Sequence, residues 1–147
     1  MLDGYGDGTF RPEAILTRAQ FCKMVVYAMG AEDELGLYRT VTVFPDVKPS
    51  HWAAGYINMA AKGKKVISGY PDGRFGPACT MTRSQAAVMV NRMLGRRADP
   101  DFISSHGGVH TFLDVPASHW AYYDICEAAN SHSYQQTSQA ETWDALL

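Results

Sequence analysis

The stretch Gly69-Tyr70-Pro71-Asp72-Gly73-Arg74-Phe75-Gly76-Pro77, followed by Thr82-Arg83-Ser84-Gln85, decides the fold because it occurs twice. Its other copy lies 65 residues earlier, as Gly4-Tyr5-Gly6-Asp7-Gly8-Thr9-Phe10-Arg11-Pro12 followed by Thr17-Arg18-Ala19-Gln20. A second block, which runs from Phe44 to Ala60, returns 68 residues later with Phe, Asp-Val and Ser-His-Trp-Ala at the same positions. Two collinear repeated blocks predict stacked structural repeats that supply each other's core.

The order of the blocks predicts the domain organisation. Residues 1–30 hold the second half of a motif, residues 44–95 a complete motif, and residues 112–147 a first half with a divergent tail. Residues 96–111 are polar and contain Gly107-Gly108, which is typical of a linker. Because the repeat starts abruptly at Asp3-Gly4, we expect the missing half and any signal peptide to precede it in a longer protein.

Helix signals follow each Gly-Tyr-x-Asp-Gly stretch. Each Thr-x-x-Gln segment fits the capping box, and the apolar run behind it ends at a glycine suited to a helix C-terminus. The residues are Thr17, Gln20 and Gly30 in the first copy and Thr82, Gln85 and Gly95 in the second. Shorter helices are predicted at 52–62 and 120–129, the first of them capped by Ser50 and with Trp52 turned inward. The fold class is therefore mainly α.

Composition excludes several classes of function. The chain has 147 residues, 46% of them apolar and 19% charged, with a formal charge of -2. This balance argues against nucleic-acid binding through bulk charge and against a polybasic membrane clamp. No run approaches the roughly 18 apolar residues of a membrane-spanning helix. The three cysteines, Cys22, Cys79 and Cys126, are too few and too far apart for a disulfide framework, so buried, inert thiols are expected.

Catalytic and metal-binding patterns are not found in the sequence. The Asp-Gly stretches fail as calcium loops, because Ala14 and Cys79 stand where the bidentate Glu would be. His106 and His110 are four residues apart, but the Gly107-Gly108 pair between them argues against a helical metal site. Neither a nucleophile elbow nor a phosphate loop is present. We therefore expect a protein without catalytic activity, cofactor or metal, in which Asp7 and Asp72 stabilise turns.

The two blocks together resemble the S-layer homology (SLH) motif. The resemblance rests on fifteen residues in order: Phe44, Asp46, Val47, His51, Trp52, Ala53, Gly69, Tyr70, Asp72, Gly73, Phe75, Pro77, Thr82, Arg83 and Gln85. It implies three such motifs in a pseudo-threefold helical spindle, with grooves between the lobes. It also implies an extracellular module that attaches a surface protein, without covalent bonds, to bacterial secondary cell-wall polysaccharide, which often carries pyruvate ketals. Here the first repeat is truncated and the third is divergent, so we expect at most two ligand grooves of the kind that the family has between its lobes.

Arg18 and Arg83 are the main candidates for binding an acidic ligand. Each occupies the first helical position, where a cation opposes the helix dipole, so its recurrence needs an explanation. Free amides and a guanidinium at one place suit a carboxylate such as a pyruvate ketal. The alternative is an internal ion pair, with Asp46 or Asp114 as partner.

Further residues of the repeated blocks are also candidates for binding this ligand. The ligand-binding residues predicted with them are Thr17, Thr82, Gln20, Gln85, Asp46, Trp52, Gly69 and Tyr70. For Trp52 and Trp120 a core position is the main alternative to sugar stacking. Tyr5 and Tyr70 are expected to be exposed beside their turns. A rival function is a protein-interaction or self-assembly module, because an unpaired apolar half-motif could self-associate.

Overall fold

The computed structural model describes residues 6–138 and 140–147, and these residues form two compact units. The first unit ends at Met81 and the second comprises Thr82–Leu147. This boundary falls inside the predicted complete motif, residues 44–95. The first unit therefore combines the second half of one motif with the first half and the Asp-Gly loop of the next, and the second unit begins at the helix after that loop. The mainly helical class is confirmed, whereas the threefold spindle and the assignment of the motifs to domains stay predictions.

The first unit is built on α1 and α3, which pack against each other. Helix α1 is Arg18–Ala28, and a 3-10 turn at Glu32–Glu34 leads into the short α2, Leu35–Tyr38. Helix α3, Ala54–Asn58, continues as a single π-helical turn at Met59–Gly63. Apolar side chains fill the space between these elements: Ala19, Cys22, Val25, Val26, Phe44, Val47, Ala53, Ala54, Ile57, Met59 and Phe75.

The second unit repeats that helix pair and adds a hairpin. Helix α4 is Arg83–Met93, α5 is Pro100–Ser105 and α6 is Tyr122–Ala129, and α4 packs on α6. The antiparallel strands β1, His132–Gln136, and β2, Glu141–Leu146, follow.

A small apolar cluster of Ile103, Cys126 and Trp143 holds α5, α6 and β2 together. Where a linker is predicted, residues 96–111 thus contain a packed helix. Its N-cap is Asp99, whose carboxylate accepts from the amide of Phe102 at 3.0 Å.

The predicted helix starts at Thr17 and Thr82 are confirmed. In both α1 and α4 the threonine hydroxyl accepts from the amide of the glutamine three residues on, and the glutamine side chain accepts from the threonine amide. Gly30 and Gly95 follow the two helices with φ of 60° and 71°, a conformation that glycine adopts without steric cost. Capping is local chemistry, so four residues of sequence suffice to predict it.

The predicted start of the short helices is wrong in two respects. Helix α3 begins at Ala54 rather than at Trp52, and Ser50 does not cap it. Instead Nδ1 of His51 accepts from the amide of Ala53 at 3.1 Å, and His119 does the same for Ala121 at 3.2 Å. Trp52 therefore lies in the turn before the helix and is 57% exposed, not buried. Trp120 is similarly exposed.

The C-terminal tail packs through apolar residues and forms a hairpin instead of a further helix. Trp143 is buried, and Leu146 packs beside it, whereas Leu147 is exposed. Cys79 is also exposed, whereas Cys22 and Cys126 are buried as expected. Burial raises the pKa of Cys22 to about 12, so this thiol is inert at neutral pH.

No helix among residues 6–138 and 140–147 combines the length and the apolar character that a membrane span requires.

Candidate functional site

The two Asp-Gly loops have the same backbone shape. Asp7 and Asp72 each accept from the amide two residues on, at 3.0 and 2.9 Å, and the glycine after each has φ near 80°. The turn-stabilising role of these aspartates is thus confirmed. Arg11 and Gly76 occupy the same place in their loops, and both have positive φ, 56° and 67°. The left-handed conformation at this position explains why glycine suits position 76.

In the first unit, Asp46 holds the second loop in place. Its carboxylate accepts from the amides of Phe75 and Gly76 at 2.8 and 2.7 Å, and the ring of Phe44 packs on that of Phe75 at 5.1 Å between centroids. Partial burial opposes ionisation, but these two hydrogen bonds outweigh it and keep the pKa of Asp46 below its usual value. The alternative of an ion pair between Asp46 and Arg18 is wrong, because the partners of Asp46 are backbone amides. A role of Asp46 in ligand binding stays a prediction.

Replacing Asp46 with alanine is expected to lower the free energy of unfolding of the first unit by about 2 kcal/mol, because two charge-assisted hydrogen bonds are lost. Since the native pKa lies below the unfolded one, the contribution is complete above about pH 4 and disappears as the pH falls through the native pKa. Urea unfolding at pH 7 and at acidic pH measures both effects. Asp114→Ala is the matched control, with less than about 0.5 kcal/mol expected.

Arg18 lies under the same loop. It is only 3% exposed, and its Nε and Nη2 donate to the carbonyls of Phe75 and Ser68 at 2.8 and 2.9 Å. The guanidinium also lies 4.7 Å from the ring centre of Tyr70. No carboxylate among the described residues pairs with it, so its positive charge is not neutralised.

The sequence predicts that a guanidinium and free backbone amides lie together at the start of each helix, but the first amides of α1 are not free. The amides of Arg18 and Ala19 donate to the carbonyls of Cys79 and Pro77 at 2.9 and 3.1 Å. A contact between Arg18 and a ligand stays a prediction.

Arg83 has the opposite environment although it stands in the same motif. It is exposed at the start of α4 and makes no hydrogen bond or ion pair with the residues that the structure describes. Nothing in the described part of the second unit corresponds to the loop that covers Arg18. Thr82 and Gln85 cap α4 as expected, and their roles in ligand binding stay predictions.

A groove of about 220 Å³ opens beside the start of α1 in the first unit. It is lined by Thr17, Ala19, Gln20, His51, Trp52, Pro77 and Ala78. The structure thus brings three predicted residues together here, namely Thr17, Gln20 and Trp52. The Trp52 ring is flanked by His51 and Tyr56, at 5.9 and 6.4 Å between ring centres. An exposed, laterally supported indole beside polar groups is a surface on which a sugar ring can stack.

Two hydrogen-bond donors remain available at this groove. Because Nδ1 of His51 accepts from Ala53, the proton of the neutral ring lies on Nε2. The side-chain oxygen of Gln20 is used by Thr17, while its amide nitrogen has no partner among the described residues. No carboxylate lines the groove, so an anionic ligand meets no direct repulsion there. His51 was not predicted as a site residue, and its sequence signal was its recurrence next to the tryptophan.

Gly69 and Tyr70 support the loop rather than line this groove. A Cβ on Gly69 would lie 2.6 Å from the Phe44 ring and 2.8 Å from the Arg74 carbonyl, so only glycine fits. Tyr70 was expected to be exposed, but it is half-buried over Arg18. Its counterpart Tyr5 lies outside the described residues.

The second unit contains a buried ionic cluster that the sequence did not reveal. Nη2 of Arg96 lies 2.8 Å from Glu127 and 2.8 Å from Glu141, and both carboxylates are buried. Nε2 of His132 adjoins the same atom of Arg96 at 2.7 Å. The ligand-type atoms of Glu127, His132 and Glu141 lie within 4.8 Å of one another, but the guanidinium already supplies a cation among them.

Two helix pairs, each with an exposed tryptophan in the turn before its last helix, define a helical repeat protein. The family model of the S-layer homology domain matches residues 2–22 and 43–87. A cellulosome-anchoring protein of Acetivibrio thermocellus is 37% identical over 142 residues, which cover 92% of this chain. A surface layer protein of Brevibacillus choshinensis is 36% identical over 95 residues, or 65% of the chain. The chain belongs to the S-layer homology domain family.

The chain spans only a part of these relatives, 29% of the cellulosome-anchoring protein and 8% of the surface layer protein. No solved structure matches the chain.

Proposed function

We propose that this chain is a non-catalytic anchoring module that binds an anionic cell-wall polysaccharide at the cell surface. Its family and its relatives, which include a cellulosome-anchoring protein and surface layer proteins, support this class of function. The observation that carries the proposal is the exposed Trp52 in the groove at the start of α1.

The groove fits a sugar that bears an acidic group. One face of the sugar stacks on Trp52, while the free hydrogen-bond donors of His51 and Gln20 face its polar substituents. The uncompensated charge of Arg18 lies behind the first turn of α1 and favours an anion without contacting it. A pyruvate ketal is an acidic substituent of this kind.

Replacing Trp52 with alanine is expected to weaken binding to purified wall polysaccharide about tenfold, which corresponds to about 1.4 kcal/mol of lost stacking. The matched control is Trp120→Ala, because Trp120 occupies the equivalent turn of the second unit and is also exposed, at 65% against 57%. Isothermal titration with polysaccharide measures both variants. An equal loss in both variants, or none in either, would contradict the assignment of the groove.

The acidic substituent is tested separately. Chemical removal of the pyruvyl groups from the polysaccharide is expected to weaken binding by the wild-type chain, with the melting temperature unchanged. Arg83→Ala in the same titration tests the predicted contact of this exposed arginine with the acid. Loss of affinity supports that role, and retained affinity rejects it.

A further inference from the structure

We propose that the polysaccharide extends beyond the groove along α1 and α3, and that the hydroxyls of Tyr27 and Tyr56 bind a second sugar of the same chain. This second subsite rests on the proposed function, because the first sugar lies in the groove beside Trp52. The ligand of the first unit is then a segment of at least two sugars and not a single one.

One face of α1 continues the groove. Gln20 lines the groove, and Lys23 and Tyr27 follow it on the same helix. Side chains at positions i, i+3 and i+7 share one face of an α-helix, so these three residues point to the same side of α1. From Gln20 to Tyr27 the helix rises by about 10 Å. This length gives room for a second pyranose ring after the one in the groove.

Aromatic rings continue the groove on the α3 side as well. Trp52 lines the groove, and the ring of Tyr56 follows it, with 6.4 Å between the ring centres. Tyr56 in turn stacks on Tyr27 of α1, with 6.1 Å between the ring centres and 24° between the ring planes. A row of rings therefore leads from the groove to the two tyrosines, which join the two helices.

The tyrosine pair has the chemistry that a sugar requires. Tyr27 and Tyr56 are both half-buried, so packing holds their rings while part of each side chain reaches the surface. Burial and a hydrogen bond with Tyr27 raise the pKa of Tyr56, so this phenol stays protonated at neutral pH. A neutral phenol donates and accepts hydrogen bonds as sugar hydroxyls do, and its ring packs on the C–H groups of a sugar.

The charges beside the tyrosine pair favour an anionic chain. The ammonium group of Lys23 lies 5.7 Å from the ring centre of Tyr27. Lys23 and Arg39 both act on Tyr56 in the direction that favours a negative charge there. A polysaccharide that carries acidic groups along its length is therefore attracted to this end of the surface.

The second unit repeats the helix pair but not the tyrosine pair. Helix α4 packs on α6 as α1 packs on α3. With the repeat spacings of 65 and 68 residues, Arg92 takes the place of Tyr27 and Asp124 takes the place of Tyr56. A carboxylate at the second of these places repels an anionic chain. We therefore assign the second subsite to the first unit alone.

Fragments of purified wall polysaccharide, separated by length and with their acidic groups retained, test the second subsite. In isothermal titration the wild-type chain is expected to bind a tetrasaccharide about tenfold more tightly than a monosaccharide. Combining Tyr27→Phe with Tyr56→Phe removes both hydroxyls and keeps both rings, so this preference should fall to about threefold or less. The affinity for the monosaccharide should not change. Tyr123→Phe, at an exposed tyrosine of α6, is the matched control and should keep the full preference.

Two results would overturn the second subsite: equal affinity of the wild type for both fragments, or a double variant that keeps the tenfold preference. If Trp52→Ala still weakens monosaccharide binding in either case, the groove itself is retained. Binding of neither fragment, or monosaccharide binding unchanged in Trp52→Ala, would instead contradict the proposed function and the second subsite with it. Far-ultraviolet circular dichroism checks the fold of the double variant, and Tyr27→Phe alone should reduce the preference in the same direction.

Discussion

Replacing Arg18 with alanine is expected to lower the free energy of unfolding of the first unit by about 3–5 kcal/mol. Two charge-assisted hydrogen bonds to the carbonyls of Phe75 and Ser68 are lost, and the buried Phe75 carbonyl is left without its donor. The contacts of the guanidinium with the rings of Tyr70 and Phe75, at 4.7 and 4.6 Å, are lost as well. Urea unfolding followed by far-ultraviolet circular dichroism measures the change.

Arg83→Ala is the matched control, because it removes the same side chain from the same motif. We expect a change within about 0.5 kcal/mol, since Arg83 is exposed and a cation at a helix N-terminus is slightly unfavourable. Amide hydrogen exchange locates the effect: protection at Val25 and Val26 of α1 should fall in Arg18→Ala and persist in Arg83→Ala. Similar small changes in both variants would contradict the structural role of Arg18.

The contrast between these two arginines shows where prediction from the sequence stops. Both stand in Thr-Arg-x-Gln, and the capping boxes that this pattern predicts are present in both helices. Burial is different, because it depends on whether a loop more than fifty residues away covers the side chain. The local pattern contains no information about that loop, so one motif gives two environments.

The exposure of Trp52 and the formation of the C-terminal hairpin escape prediction for a similar reason. Tryptophan is large and apolar, which favours a core position, but α3 starts two residues later and its core is filled by Ala53, Ala54 and Ile57. The strand His132–Gln136 is polar and lacks a clear alternating pattern. Contacts made at long range, from Arg96 and Arg97 to Glu141, fix the position of the hairpin.

Arg96→Ala is expected to destabilise the second unit by about 3–5 kcal/mol at pH 7. The guanidinium pairs with both Glu127 and Glu141, and its removal leaves these two buried carboxylates with only the His132 ring beside them, at 3.5 and 3.4 Å. Arg96 also stacks on the ring of Tyr134, at 3.9 Å from its centre. Fluorescence of the buried Trp143, whose indole donates to Glu127 at 3.0 Å, reports on this unit during urea unfolding. The exposed Arg92 at the end of α4 gives the control, Arg92→Ala, with less than about 0.5 kcal/mol expected.

The pH dependence of the free energy of unfolding shows whether Arg96→Ala destabilises the unit by loss of charge or by loss of packing. In the wild type, burial and the charge of Glu141 raise the pKa of Glu127. Ionisation of Glu127 therefore makes the native state less stable as the pH rises. Burial also acts on Glu141, but hydrogen bonds from Arg96, the Arg97 amide and His132 outweigh it and lower the pKa. The stabilisation by Glu141 is therefore complete above about pH 4.5 and is lost as the pH falls through its native pKa.

Without Arg96 the chief group that lowers the pKa of Glu141 is gone, so one of the two carboxylates should take up a proton on folding. The deficit of Arg96→Ala relative to the wild type is thus expected to shrink between pH 7 and pH 5, because protonation removes the repulsion. A deficit of the same size at both pH values would show that Arg96 acts by packing on Tyr134 and not by its charge. Arg96→Lys sharpens the distinction, since it keeps the charge but loses the planar contact, and it should recover part of the stability at pH 7.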